Sequence, residues 1–162
     1  MNSLPKYLTQ AELQRFFAAI PSHRDRALFA VIYHYGLRVD EATALTIEDL
    51  DLKTHRIRLR RLKNGLGGEK PLWRHTAKLL RAYLRVRNAA GPYLFTGREG
   101  PLKKRQIQNL FKHYAKAAGI SGRSVHALRH SIAVHLLDAR RGIEYVADHL
   151  GHKNRLFWKT SG

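Results

Sequence analysis

The chain has 162 residues, 44% of them hydrophobic, enough for one domain with a proper core and too few for two comfortable ones. Thirty Lys and Arg against twelve Asp and Glu give a formal net charge of +18, a self-repulsion that a polyanion relieves, so nucleic acid is the first partner to consider. The absence of cysteine excludes disulfides and thiolate chemistry. The start, Met1 to Tyr7, has no apolar export core, and no run approaches the ~18 apolar residues that span a bilayer; the expectation is a soluble, cytoplasmic protein with no membrane partner.

Thr9 with Glu12 three residues on reads as a capping box opening a helix whose stripe is Leu13, Phe16, Phe17 and Ile20, closed by Pro21. A second helix covers about Asp25 to Tyr35, with Gly36 as its stop, and Arg38 follows at the mouth of a shorter helix to about Leu45. From Arg56 to Leu62 basic and apolar residues alternate as in a strand with one wet face. Asn64-Gly65 and Gly67-Gly68 mark a loop, and Lys70-Pro71-Leu72 returns as its partner. A long helix carries Leu79, Leu80, Tyr83, Leu84 and Val86 and ends near Gly91; Tyr93-Leu94-Phe95 reads as a third short strand. The next helix runs about Lys104 to Ala118, with Ile107, Leu110, Phe111 and Tyr114 inward and Gly119 after it. Ser124 is the expected cap of a helix bearing His126-Ala-Leu-Arg129-His130, and a short helix spans about Ile143 to His149. The spacing predicts a mainly α domain with a small antiparallel β-sheet (α+β).

His126 and Arg129 stand three apart on one helix face and can reach one ligand. Arginine offers five donors in a rigid, permanently charged fork, suited to a phosphodiester. Breaking such a bond without a metal needs charge neutralisation at the phosphorus, a proton for the leaving oxygen, and a nucleophile. Arg38 and Arg129 can supply the first. Lys63, at the loop of the basic strand with Lys70 as its nearby rival, can supply the second. No acidic cluster resembles a metal cage, so no metal and no cofactor is expected. His126 and His130 are four apart, as zinc ligands can be, but Ala127 stands where a metalloprotease has Glu. Arg58, Arg60, Arg81, Arg85, Arg140 and Arg141 read as solvated surface, with His130, His135 and His149 as packing or surface groups.

These boxes resemble the tyrosine recombinases, the phage-integrase type of site-specific DNA recombinase. Gly36-Leu37-Arg38-Val-Asp-Glu41 is similar to the family's first arginine box, Arg-Leu-Lys63-Asn-Gly to its hairpin lysine, His126-x-x-Arg129 to its HxxR box, and Leu150-Gly151-His152 to its last histidine. The likeness runs from about Leu8 to Asn154, and more narrowly it is to the short recombinases of fimbrial phase variation. The resemblance implies the recombinase catalytic fold, duplex DNA as partner, and integration or recombination by metal-independent transesterification. It implies Lys63 as general acid, His126 as acid/base partner, His152 as a phosphate donor, and Glu41 orienting its neighbours as a support behind them.

The family's attacking tyrosine lies nine residues after the Leu-Gly-His histidine, and here that count lands on Ser161. A serine hydroxyl is a weaker acid than a phenol and yields its anion less readily. Tyr145, beside Ile143 and Val146, reads as core. The expectation is a single catalytic domain over residues 1–162, lacking an N-terminal core-binding domain and truncated or altered after about residue 154. It would be monomeric without DNA and inactive in cleavage as written, the alternative being a non-cleaving duplex DNA-binding module derived from a recombinase. A basic RNA-binding protein is the third, weaker reading.

Overall fold

Residues 6–60 and 68–139 are described by a computed structural model. The expected hairpin tip and the helix near Ile143 lie outside them. Thr9 opens α1 (Gln10–Ala18) with the expected reciprocal cap: its hydroxyl accepts from the Glu12 N–H at 3.1 Å, and Glu12 Oε1 accepts from the Thr9 N–H at 3.0 Å. α2 (His23–Tyr35) begins two residues earlier than Asp25 because Ser22 is the cap, its Oγ accepting from the Asp25 N–H at 3.1 Å. It ends at Gly36, whose φ of 60° is left-handed, and the Leu37 N–H closes back onto the Ile32 carbonyl at 3.0 Å.

α2 is buried on nearly every side, Ala27 through Tyr33 together with Tyr35, and it packs most extensively against α4 (Arg74–Val86) and then α6 (His126–Asp138). An aromatic cluster joins it to α1 and α5 (Lys104–Ala117): the Phe16 ring lies 5.3 Å from Phe29 and 5.0 Å from Phe111. Phe16, Phe17, Tyr33, Phe111 and Tyr114 are thus core groups, as their spacing implies.

The sheet is three-stranded and antiparallel in the order β1 (Leu50–Asp51), β2 (Arg56–Leu59), β3 (Gly68–Pro71), with Ile57 opposite Lys70 and Arg58 opposite Glu69. Strand β1 escapes the sequence because two residues carry no periodicity. Ile57 and Leu59 point inward and Arg58 outward, the alternation of a half-buried strand. A separate two-stranded hairpin pairs β4 (Thr96–Gly97) with β5 (Gly100–Pro101). Among the described residues no helix is long and apolar enough to cross a membrane.

Three local expectations are corrected. Tyr93-Leu94-Phe95 makes only an isolated bridge from Tyr93 to Thr46, because the carbonyls of Tyr93 and Leu94 serve side chains instead, while that of Phe95 accepts from the Leu102 N–H. Arg87 donates to the carbonyls of Ala89, Leu94, Gly91 and Tyr93 at 2.6–3.3 Å, and Tyr83 also donates to Leu94 at 2.8 Å. Val86 is 59% exposed, since the inward stripe of α4 ends at Tyr83. The hydroxyl of Ser124 caps nothing: Val125 is already helical at φ −58°, and Ser124 contributes its carbonyl to the Ala127 N–H at 2.9 Å.

Buried Asp25 accepts from Arg24 Nε at 2.8 Å and from the Tyr114 hydroxyl at 2.5 Å; burial, then the carboxylate beside it, pushes the Tyr114 phenol upward. Tyr114→Phe leaves one oxygen of that carboxylate short of a donor, so urea unfolding should show a loss of about 1–3 kcal/mol.

Candidate functional site

The corner after α2 places the first arginine. Gly36 turns the chain and Arg38 follows, partly buried, just before α3 (Val39–Thr43). Glu41 folds back so that its Oε1 accepts from the Arg38 N–H at 2.8 Å. The Glu41 side chain is buried, and that same oxygen lies 4.0 Å from Arg129 Nη1. Arg129 donates from Nη1 to the Gly36 carbonyl, across 93 residues of sequence. The two boxes therefore meet at one carboxylate, and Arg38 and Arg129 belong to one neighbourhood.

Packing brings α6 there. Ala127, Leu128, Ile132 and Ala133 are buried, which leaves His126, Arg129 and His130 on the wetter side. His126 is the exposed first residue of the helix. A turn and a half beyond Arg129, His135 fixes the other end: its Nε2–H donates to the Leu8 carbonyl at 3.0 Å, so its Nδ1 accepts from the Tyr33 hydroxyl at 2.6 Å. The carbonyl has no proton to give, and this settles the tautomer. Burial pushes the Tyr33 phenol up to about 12.

Of the remaining sequence candidates, Lys63, His152, Ser161 and Tyr145 lie outside the described residues. Lys70 is partly buried on β3, opposite Ile57. Arg58 and Arg60 are more than solvated surface. Both reach the buried Asp49, at 3.1 and 3.3 Å, while Asp49 Oδ2 accepts from the Thr46 N–H at 3.0 Å. They stand about half exposed, so the pairing orients the hairpin base more than it stabilises it.

Sequence reasoning missed the segment before α1. The Leu8 N–H donates to Ser131 Oγ at 2.8 Å, and Ser131 Oγ donates to the Ala127 carbonyl at 2.5 Å. Arg123 holds the same segment, donating to the Tyr7 carbonyl at 3.3 Å and pairing with Glu12 at 2.5 Å. Burial would raise the Glu12 carboxyl, but the Thr9 N–H and Arg123 outweigh it and hold the carboxyl below its ordinary value. No sequence pattern announces contacts this distant.

With the geometry in place, comparison with known proteins is direct. Residues 6–156 match the phage integrase family, and the chain belongs to it, the family of tyrosine recombinases. It is 36% identical to tyrosine recombinase XerA of Thermococcus kodakarensis over 159 residues, covering 94% of this chain and 56% of that protein. It is 40% identical to tyrosine recombinase XerC of Neisseria gonorrhoeae over 139 residues, covering 81% and 44%. The chain thus spans about half the length of the curated relatives it matches. The crystal structure of XerA recombinase superposes with a TM-score of 0.87 at 27% identity, covering 98% of this chain and 60% of that one. XerH recombinase bound to its palindromic difH substrate superposes at 0.81 with 24% identity, covering 98% and 49%, a likeness of fold.

Glu41→Ala removes the acceptor shared by the Arg38 N–H and Arg129 and should lower unfolding free energy by about 1.5–3 kcal/mol, whereas Glu41→Gln keeps an oxygen and loses less. His130 is held below its ordinary 6.5 by partial shielding from water and then by Arg129, His126 and Lys6. Its ring signals should therefore titrate below 6.5 in NMR. The unfolded chain binds that proton more readily, so this group's contribution, full above 6.5, is lost as pH falls through that range toward the lower folded value.

Proposed function

We propose that this chain is the catalytic domain of a site-specific recombinase that binds duplex DNA and grips one phosphodiester between Arg38 and Arg129. The observation that carries this reading is the convergence of both arginine boxes on Glu41, from elements 93 residues apart at their Gly36–Arg129 contact. Two guanidinium forks can neutralise the charge that grows on the non-bridging oxygens as the phosphorus becomes five-coordinate. In the transesterification that the resemblance implies, a tyrosine oxygen bonds to the phosphorus as the bond to the 5′ oxygen breaks. Lys63 gives that leaving oxygen its proton, His126 acts as acid/base partner and His152 donates a hydrogen bond to the phosphate. With Ser161 at the tyrosine's position, this sequence as written does not complete that step. Relatives with DNA in their crystals, XerH on difH and a lambda integrase dimer on a COC′ core site, support duplex DNA as the ligand.

A second reading, a duplex-binding module that does not cut, is favoured by Ser161, which stands nine residues after His152, where the resemblance places the tyrosine. In fluorescence anisotropy the chain should bind duplex DNA with an affinity that falls steeply with salt. Arg129→Lys, which loses the planar fork, should weaken it by about 1.5–3 kcal/mol, tenfold or more. A nicked suicide duplex should give no covalent band with this sequence, and a band would overturn the non-cleaving reading. If Ser161→Tyr creates such a band, the cutting machinery is otherwise present. A preference for RNA over duplex at matched salt would overturn both readings.

A further inference from the structure

The start of α6 lines a second cationic recess, which shares His126 with the phosphodiester grip and otherwise lies outside it. It is a cavity of about 160 Å³ lined by Lys6, Ser124, His126 and His130, with Gly122 and Arg123 at its edge. Among its described lining residues there is no carboxylate. Arg123, one of the lining residues, is paired with Glu12 at 2.5 Å.

Lys6 does not reach the cavity by chance of a loose terminus. Two residues on, Leu8 is tied through both of its peptide groups to α6, its N–H to Ser131 and its carbonyl to His135, while the Tyr7 carbonyl accepts from Arg123. The strap at residues 6–9 is thus registered against the helix that bears the histidines. At 3.6 residues per turn, Arg129 and His130 project roughly 100° apart, with His126 between them. One flank of that ridge faces Gly36 and Glu41, and the other faces Lys6. His126 stands at the border of two anion cradles.

We propose that Lys6, His130 and the Ser124 hydroxyl bind a second backbone phosphate of the duplex, flanking the one held by Arg38 and Arg129. The inference rests on the recombinase reading for its ligand, and on the cavity alone for its chemistry, which is that of a phosphate oxyanion. A lysine is a compact charge on a flexible stem, suited to a phosphate that must be held in register without being activated. A rise of roughly 6 Å along α6 from His126 to His130 gives the second group a separate place along the strand.

The test uses the full 162-residue chain and Lys6→Ala, whose exposed side chain should leave the melting temperature unchanged. In the first arm, inorganic phosphate is titrated while the His126 and His130 ring signals are followed by NMR. Phosphate should shift His130 in the parent chain and do so at least threefold more weakly in Lys6→Ala. In the second arm, duplex affinity is measured against salt, where Lys6→Ala should flatten the log–log slope by about one unit. Duplexes with single methylphosphonates should then reveal one position, beside the one coupled to Arg38, at which Lys6→Ala costs nothing further. Duplex binding with an unchanged slope, or with losses additive at every methylphosphonate, overturns the Lys6 site and leaves the recombinase reading standing. Phosphate shifts at His130 that depend on Lys6, in a chain that fails to bind duplex, uphold the anion site and overturn the recombinase reading. Phosphate that moves neither ring overturns the site outright.

Discussion

The contact on which the rest is arranged is Arg129 against the Gly36 carbonyl, with Glu41 behind it. Hydrophobic burial along α6 brings the helix to α2, but apolar contact does not by itself choose which turn meets which. The polar junctions choose. Arg129 meets the end of α2 at Gly36, and His135 meets Tyr33 one turn earlier on the same helix, so α6 is fixed antiparallel to α2 at two points. Gly36 matters twice over, because its left-handed φ ends α2 and throws Arg38 toward the same carboxylate that backs Arg129. A side chain there would strain the turn, and both arginines would lose their common reference.

The charge imbalance of the sequence is sharper in space than in composition. The carboxylates of the described residues are largely engaged in the fold's own joints. Glu12 completes a cap and holds Arg123, Asp25 holds Arg24 and Tyr114, Glu41 holds the arginine corner, and Asp49 gathers Arg58 and Arg60. Even exposed Asp51 accepts from the N–H groups of Lys53 and Thr54, which lower its carboxyl. The acids that might dilute a positive surface are thus drawn into the scaffold. Lys103, Lys104 and Arg105, exposed at the start of α5, have no such local acid among their capping partners. Burial of the few negative groups gives the exterior a field that a polyanion relieves, and the fold needs no excess of cations in any single tail to produce it.

Much of this was legible in the residues because the helices are long and punctuated. Thr9 with Glu12, and Gly36 before Arg38, are local signals, and the structure reproduces them at those positions. The proximity of Arg38 and Arg129 was legible only through the order of the boxes, since nothing local in Arg129 refers to Gly36. What could not be read were elements whose hydrogen bonds go to side chains. The run Tyr93-Leu94-Phe95 has strand-forming residues, but Arg87 and Tyr83 claim the carbonyls of Tyr93 and Leu94, and a strand without a ladder is a loop. Asp49 likewise looks like any turn acid until the sheet brings Arg58 and Arg60 over it.

The strap before α1 shows how distant contacts position the helix that bears His126 and Arg129. α6 begins without a side-chain cap, and its first residue, His126, is exposed. Its first turn closes on backbone carbonyls instead, Ser124 accepting from the Ala127 N–H at 2.9 Å and Val125 from the Leu128 N–H at 3.0 Å. Ser131 donates to the Ala127 carbonyl and accepts from the Leu8 N–H, so the backbone of a distant segment is tied to the second turn of the helix. His135 takes the carbonyl of the same residue, Leu8. The segment at residues 6–9 and the histidine–arginine helix are therefore one mechanical unit. Leu8 is hydrogen-bonded to Ser131 and His135, on the same helix as His126 and Arg129, with no loop between them.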